Sequence, residues 1–343
     1  MAPVRSLATL VKLAVLTPAY GLVLVLAWLF KTSRRIVAMI VALAVVAVWQ
    51  LAGCGHPLRV GTFNIRQFGV ASTDMDKLTA LVDSLDADIV AVQEIQDASK
   101  FQVLADRMSR RSGRTTRAAL SRCGGKSAMQ IGFLYDDRVK LVSTKEYPEL
   151  DPAGGGRCDI GERPGLLGVF TDGSRTVNLL AIHLTPGNDR ADFAKRKAQW
   201  QRAYAIARQL RADGADSVIV LGDANSTGYL NDDNGERRFV DSAARDAGMS
   251  VVTSNLACSE YWPEKDDLYS PSLLDQAVAT PGLVMSGSAR VHGYCEALRC
   301  APHPSSTPPN GFESVSDHCP VTFDLERYPT GLANMQCSSP RDN

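Results

Sequence analysis

The chain has 343 residues, with 37 lysines and arginines balanced by 37 aspartates and glutamates, and 45% of it is apolar. That length holds one large core or two modest ones. The even balance excludes a surface coated in positive potential, so any polyanion would meet a local patch rather than a field over the whole molecule.

The first 56 residues differ in kind from the rest. They contain no acid, five basic residues (Arg5, Lys12, Lys31, Arg34, Arg35) and two apolar runs, about 13–30 and 36–53. Each run is near the length of a transmembrane helix, roughly 17–25 residues. Lys31, Arg34 and Arg35 between them predict a cytoplasmic link, hence a helical hairpin that leaves the following domain on the extracytoplasmic side; Arg5 and Lys12 argue mildly the other way. In a competing reading, Leu51-Ala52-Gly53-Cys54 resembles a bacterial lipoprotein processing site with Cys54 lipidated. Both readings give a membrane-anchoring region at 1–56 and one domain at 57–343, attached to a membrane and outside the cytoplasm. The seven later cysteines agree, since three disulfides and one free thiol suit an oxidising compartment. Cys319 is the natural free one; Cys295 with Cys300 and Cys123 with Cys158 are candidate loops, and the pairing stays open.

Residues 58–63 alternate and predict a first strand ending at Asn64. Leu78, Leu81, Val82 and Leu85 share one face of a helix over 74–85. A strand over 88–92 ends at Gln93-Glu94, and Asp97 caps a helix carrying Phe101, Leu104 and Met108. Next comes a basic segment, Arg107 to Lys126, opposed only by Asp106, which reads either as solvated surface or as a phosphate-backbone contact. Residues 130–135 and 140–144 predict neighbouring strands. Residues 166–170 and 176–182 predict a hairpin across Asp172-Gly173, ending at His183. A long helix covers 192–211. The apolar strand 217–221 ends in Gly222-Asp223-Ala224-Asn225, Leu273 to Val278 begins another around Asp275, and Ser316-Asp317-His318-Cys319-Pro320 leads into a last strand from Val321. Strand–helix alternation argues for sheets covered by helices.

Asn64, Glu94, His183, Asp223, Asn225, Asp275, Asp317 and His318 therefore all sit at strand ends. Each alone has a bland account as a cap or turn residue. Together, hard oxygen donors from Glu94 and Asp317, helped by Asn64, suit Mg²⁺ or Mn²⁺. Two histidines suit proton transfer or contact with a developing anion. The set points to metal-assisted attack of water on phosphorus.

These segments, Gly61-Thr62-Phe63-Asn64-Ile65-Arg66, Val92-Gln93-Glu94, Ile182-His183, Gly222-Asp223-Ala224-Asn225, Leu274-Asp275 and Ser316-Asp317-His318, resemble the endonuclease/exonuclease/phosphatase superfamily over about 58–327, with the DNase I-like branch nearest in motif. The resemblance implies a four-layer αββα sandwich, here preceded by one or two transmembrane helices. It implies that Glu94 binds a divalent cation (Mg²⁺ or Mn²⁺, with Ca²⁺ in support), with Asn64 and Asp317 close by. His183 would act as acid near the leaving group, and Asp223 and Asn225 would orient water and hold phosphoryl oxygens. Asp275 would fix the tautomer of His318, which contacts the scissile phosphate; either Asp223 or His318 would serve as base. Ser127 and Met129 stand where that branch carries a DNA-contacting Tyr and a supporting Glu, and Gln96 stands in place of an Arg. These departures argue against minor-groove binding in the DNase I manner, and Gln130 would take the supporting role. The expected activity is a phosphodiesterase, a nuclease on DNA or RNA; the alternatives are a lipid or small-molecule phosphoesterase of phosphoinositide or sphingomyelin type, or a non-catalytic module. No protein partner is inferable.

Overall fold

A computed structural model describes residues 40–41, 57–151, 161–232, 234–264 and 267–326. Pro57–Glu326 form one compact unit; the other, Met1–His56 with Arg327–Asn343, lies outside the described residues apart from Ile40 and Val41. Two six-stranded sheets dominate. The first has the order β13 (Arg290–Val291), β15 (Val321–Asp324), β1 (Arg59–Phe68), β2 (Ile89–Ile95), β4 (Gln130–Tyr135), β3 (Arg117–Leu120). The second runs β5 (Lys140–Tyr147), β6 (Gly165–Thr171), β7 (Thr176–His183), β8 (Val218–Asp223), β12 (Asp275–Ala279), β9 (Ser250–Val251).

Strand parity explains why they stack. Along β8, Ile219 and Leu221 join Val60, Ile89, Ala91 and Phe133 of the first sheet in a shared core, while Val218 and Val220 face the other way. Because successive side chains alternate across a strand, both faces of such an apolar run must be covered. Helices α1 (Met75–Ser84) and α2 (Ala98–Ser112) cover the outer face of the first sheet through Leu78, Val82, Phe101 and Leu104. Helices α3 (Arg190–Ala212) and α4 (Glu236–Asp246) cover the second through Trp200, Ala203, Val240 and Ala244. Asp74, Asp97 and Asp189 cap α1, α2 and α3 by accepting from backbone N–H groups of the first turn. Residues 130–135 and 140–144, expected as neighbouring strands, belong to different sheets, the second as part of β5, so the link at Asp136-Asp137 passes from one sheet to the other.

The expectation of N-terminal transmembrane helices is corrected, and with it attachment to a membrane through residues 1–56 and an extracytoplasmic location. Among the described residues no helix is long and apolar enough to cross a membrane. A span needs about 20 apolar residues; α3, with 23, is long enough but carries Asp192, Lys195, Arg196, Lys197 and Arg202. The runs 13–30 and 36–53, and Cys54, lie outside the described residues apart from Ile40 and Val41.

A small third sheet, β10 (Glu260–Pro263), β11 (Leu268–Ser272) and β14 (His303–Pro304), packs on α5 (Gly293–Ala297) through Tyr261, Tyr269, Tyr294 and Phe312. Two disulfides fasten it, Cys258–Cys300 and Cys295–Cys319. Cys319 is thus bonded, not free, and Cys295 does not pair with Cys300. Cys123 is disulfide-bonded as well, and its expected partner Cys158 lies outside the described residues. The Cys295–Cys319 bridge closes a separation of 24 residues, for which loop-closure entropy gives about 2–5 kcal/mol. The double variant Cys295→Ser with Cys319→Ser should lose about that much in urea denaturation. An unchanged midpoint would mean that the bridge does not constrain the unfolded chain.

Candidate active site at the edge of the two sheets

The inward parity that builds the shared core ends in polar residues. On β1 it runs Val60, Thr62, Asn64; on β7 it runs Leu179, Ala181, His183; on β8, Ile219, Leu221, Asp223; and on β12 it begins at Asp275, followed by Ala277. Register then aligns three of these side by side. His183 pairs with Asp223 across the parallel β7–β8 ladder, and Asp275 pairs with Asp223 across the antiparallel β8–β12 ladder. Gly222 makes the approach possible, because at φ +144° a Cβ there would stand 2.0 Å from the Ile182 carbonyl oxygen. Two site residues hold left-handed backbone, Glu94 at φ 65° and Asn225 at φ 50°. Such conformations cost about 1 kcal/mol or more and persist where surrounding contacts fix them. At Glu94 the β2 ladder also shifts register, between Val92 and Ile95.

Hydrogen bonds knit the row together. Asn64 Nδ2 donates to Glu94 Oε1 at 3.0 Å and to Asp223 Oδ2 at 2.9 Å. The Gln67 amide donates to Glu94 Oε2, and the Asn225 amide to Asp223 Oδ1, both at 2.8 Å. His183 Nε2 lies 3.4 Å from Asp223 Oδ2 and 3.7 Å from Glu94 Oε1. His318 Nδ1 lies 2.9 Å from Asp275 Oδ2, and its Nε2 is 3.7 Å from Asp223 Oδ2. Ser316 Oγ donates to the Asn64 carbonyl and accepts from the His318 amide, tying the last motif to β1.

Electrostatics follow from burial. Burial, with Arg163 and His318 nearby, pushes the His183 imidazole well below its ordinary range. At His318 burial also opposes charge, but Asp275 and Asp223 outweigh it and hold the group well above its ordinary value. Burial raises Asp223 to about 6, with His318 opposing and Asp275 adding to the rise.

All eight expected residues are accounted for. Asn64, Glu94, His183, Asp223, Asp275 and His318 form one connected cluster. Asn225 and Asp317 line the same cleft, a space of about 1040 Å³. Asn225 Nδ2 donates to the Leu184 carbonyl rather than to the cluster, and Asp317 Oδ1 accepts from Ser316 Oγ. Two residues were not foreseen in the site. Arg163, buried, donates from Nη2 to that same Leu184 carbonyl at 2.8 Å and lines the cleft. Glu260, also buried, pairs with His318 as an isolated antiparallel bridge, and burial pushes its carboxyl up to about 8. Arg163 is visible in the sequence as an Arg-Pro ahead of a strand; nothing local marks Glu260.

The departures read from sequence also have places. Ser127 and Met129 line the cleft, and Gln96 Nε2 donates to the Ser127 carbonyl. Gln130 does not support the site, since its amide donates to the Ser121 carbonyl on the outer side of β4. The basic segment is largely spent on acids. Arg107 pairs with Asp76, Arg111 with Asp83, Arg114 with Asp86 and Asp136, Arg122 with Glu146, and Lys126 with Glu162. None of the basic residues from Arg107 to Lys126 lines the cleft.

The donor set fits a hard divalent cation. Glu94, His183 and Asp223 each offer one atom within 4.8 Å of the others, and so do Asp223, Asp275 and His318. Among the described residues no lysine or arginine forms an ion pair with Glu94 or Asp223; the basic groups beside them are His183 and His318. Described cysteines are all disulfide-bonded, which removes soft thiolate ligands.

Comparison with known proteins agrees with this chemistry. The model of the Endonuclease/Exonuclease/phosphatase family matches residues 61–318. No curated protein matches by sequence. Among solved structures, truncated Caenorhabditis elegans TDP2 aligns at TM-score 0.55 and 15% identity, covering 79% of this chain and 98% of that one. A variant of the 3′ phosphatase NExo from Neisseria, bound to product DNA hairpin, aligns at TM-score 0.54 and 15% identity, covering 79% and 100%. The human Nocturnin catalytic domain with bound sulfate aligns at TM-score 0.51 and 16% identity, covering 79% and 94%. At these identities the likeness is one of fold.

Proposed function

Because the chain belongs to the endonuclease/exonuclease/phosphatase family and is a metal-dependent phosphoesterase, we propose that it hydrolyses nucleic-acid-like phosphodiesters, acting as a nuclease with Mg²⁺ or Mn²⁺. The observation that carries this reading is the row His183–Asp223–Asp275, joined through Asn64 to Glu94 and through Asp275 to His318. Glu94, Asn64 and Asp317 would hold the cation, with His183 and Asp223 beside it. When bound, the cation polarises a phosphoryl oxygen and offsets charge that develops on it.

The remaining roles belong to the chain's own groups. Asp223, held by two hydrogen-bond donors, accepts the proton of the attacking water as its oxygen bonds to phosphorus. The P–O bond to the leaving group breaks, and His183, neutral in the free site, donates an N–H hydrogen bond to the departing oxygen, which takes its proton from solvent. His318, fixed through Nδ1 by Asp275, turns Nε2 toward the cleft and donates to a phosphoryl oxygen. Asn225, anchored on the Leu184 carbonyl, keeps its amide at the same wall.

A compact phosphoester is the second reading. It is favoured by the lining of the cleft, where Arg163 is the one lysine or arginine among the described residues and is itself buried. The test is to assay the full chain on supercoiled DNA, RNA, phosphoinositide, sphingomyelin and simple phosphomonoesters, each with Mg²⁺, with Mn²⁺ plus Ca²⁺, and with EDTA. Cleavage of DNA or RNA should vanish in EDTA and fall about 10²–10⁴-fold in His183→Ala. Nucleic acid left intact while a lipid or monoester turns over would overturn the nuclease reading.

A further inference from the structure

The hairpin β10–β11 forms one wall of the cleft, and its parity sorts its side chains. Tyr261 turns inward, packs 5.8 Å from Tyr294 ring to ring and donates its hydroxyl to the Ala301 carbonyl. Its neighbours Glu260 and Trp262 therefore share the opposite face, and both line the cleft together with Glu264. Glu260 is buried, whereas Trp262 is 59% exposed. Across the hairpin the paired residues are small: Ser272 lies opposite Glu260 and Ser270 opposite Trp262, and both serines line the cleft too. The residue directly opposite the indole is therefore Ser270.

This wall is firmly mounted. Cys258, just before the strand, is bridged to Cys300; the Tyr261 amide donates to the Asp317 carbonyl; and Glu260 pairs with His318. Two residues along the strand span about 7 Å, so the indole stands one nucleoside's reach from the residue paired with His318. Other large exposed apolar side chains, such as Val70, Val103 and Val142, lie away from the cleft. An indole offered to solvent beside a reacting centre costs apolar exposure and provides a flat π surface.

We propose that Trp262 is a stacking platform for the nucleobase next to the scissile phosphate, so that the enzyme selects nucleotidyl phosphodiesters by one base and one phosphate rather than by a run of phosphates. The inference rests on the nucleic-acid reading above and names what that site recognises. Stacking tolerates every base, since each has a π face, and it needs the base unpaired and unstacked from its neighbours. The neighbouring carboxylate of Glu264 accepts from base N–H groups and offers nothing to flanking phosphates. With the basic segment from Arg107 to Lys126 outside the cleft, binding should release few counterions and depend weakly on salt. Single-stranded ends and short oligonucleotides are the expected substrates.

The experiment compares a short single-stranded oligonucleotide with the same backbone carrying abasic spacers around the cleaved bond, using the full chain with Mg²⁺. Wild type should prefer the base-bearing substrate by about 10-fold or more in kcat/KM. Trp262→Ala should lose most of that preference by raising KM on the base-bearing substrate alone, and Trp262→Phe should restore it. If Trp262→Ala slows both substrates equally, or neither, the platform is overturned while the nuclease reading stands. If wild type cleaves neither oligonucleotide but hydrolyses p-nitrophenyl phosphorylcholine, the nucleic-acid reading itself falls, and the indole is then a cation site for a quaternary ammonium.

Discussion

Asp275→Asn is expected to lower kcat by roughly 10²–10⁴-fold with the fold intact. Asp275 is fully buried, and one carboxylate oxygen lies 2.9 Å from His318 Nδ1. The carboxylate can only accept, so the imidazole must keep its proton on Nδ1 and present Nε2 to the cleft. An asparagine of the same shape can turn its amide nitrogen to that atom and take the proton off Nδ1, leaving a neutral imidazole where the reaction uses the charged one. It also withdraws the charge that sustains the His318 proton against burial. The backbone of Asp275 stays where it is, because its amide donates to Ser259 Oγ and its strand is paired on both sides. Steady-state kinetics and a thermal melt on the same preparation separate the effects. Full kcat in this variant would remove His318 from the chemistry.

Arg196→Met is expected to cost about 3–5 kcal/mol of stability and to raise KM. Arg196 and Glu236 are both fully buried and meet in a two-pronged pair, Nε to Oε1 at 2.9 Å and Nη2 to Oε2 at 2.8 Å. The guanidinium also donates to the carbonyls of Thr185 and Gly187 and to Thr227 Oγ1. It therefore ties the loop after His183 to the loop after Asn225, and Gly187 and Thr227 line the cleft. Removing the cation alone strands a buried carboxylate, whose proton affinity burial already raises against the pull of Arg196. Adding Glu236→Leu should recover part of the stability, since an apolar pair replaces an ionic one at little cost, but it should not recover KM, because the loop carbonyls still lack their donor. Urea titrations of the two variants test the first claim. Equal stability of wild type and Arg196→Met would refute the clamp.

Much of this arrangement is written in strand parity. Asn64, His183, Asp223 and Asp275 stand out in the sequence because each occupies the end of an apolar alternation, where a core position would carry Val or Leu. The caps Asp74 and Asp97 are equally local signals. What sequence did not disclose depends on partners far along the chain. Arg111 and Arg114 read as a free basic run because their acids, Asp83 and Asp86, precede them by a whole helix. Cysteine spacing suggested Cys295–Cys300, but the sulfurs that meet lie 42 and 24 residues apart, Cys258 with Cys300 and Cys295 with Cys319. Residues 130–147 look like a hairpin because a crossover between two sheets can be as short as a turn. Trp262 had no signal beyond an acid–aromatic alternation too short to read as a strand. Composition suggested membrane helices at the N-terminus; among the described residues none is present.

The inward faces of β1, β7, β8 and β12 have a consequence for how the enzyme comes into being. The groups proposed for its chemistry include the last rung of the same side-chain ladder that holds the two sheets together. Asn64 arrives from one sheet, and His183, Asp223 and Asp275 from the other. A chain with either sheet formed alone owns half of the constellation and no chemistry. Catalytic competence is therefore acquired at the moment the halves dock, so that turnover serves as a reporter of that docking. A nascent or partly opened molecule is silent toward phosphoesters until its core has closed.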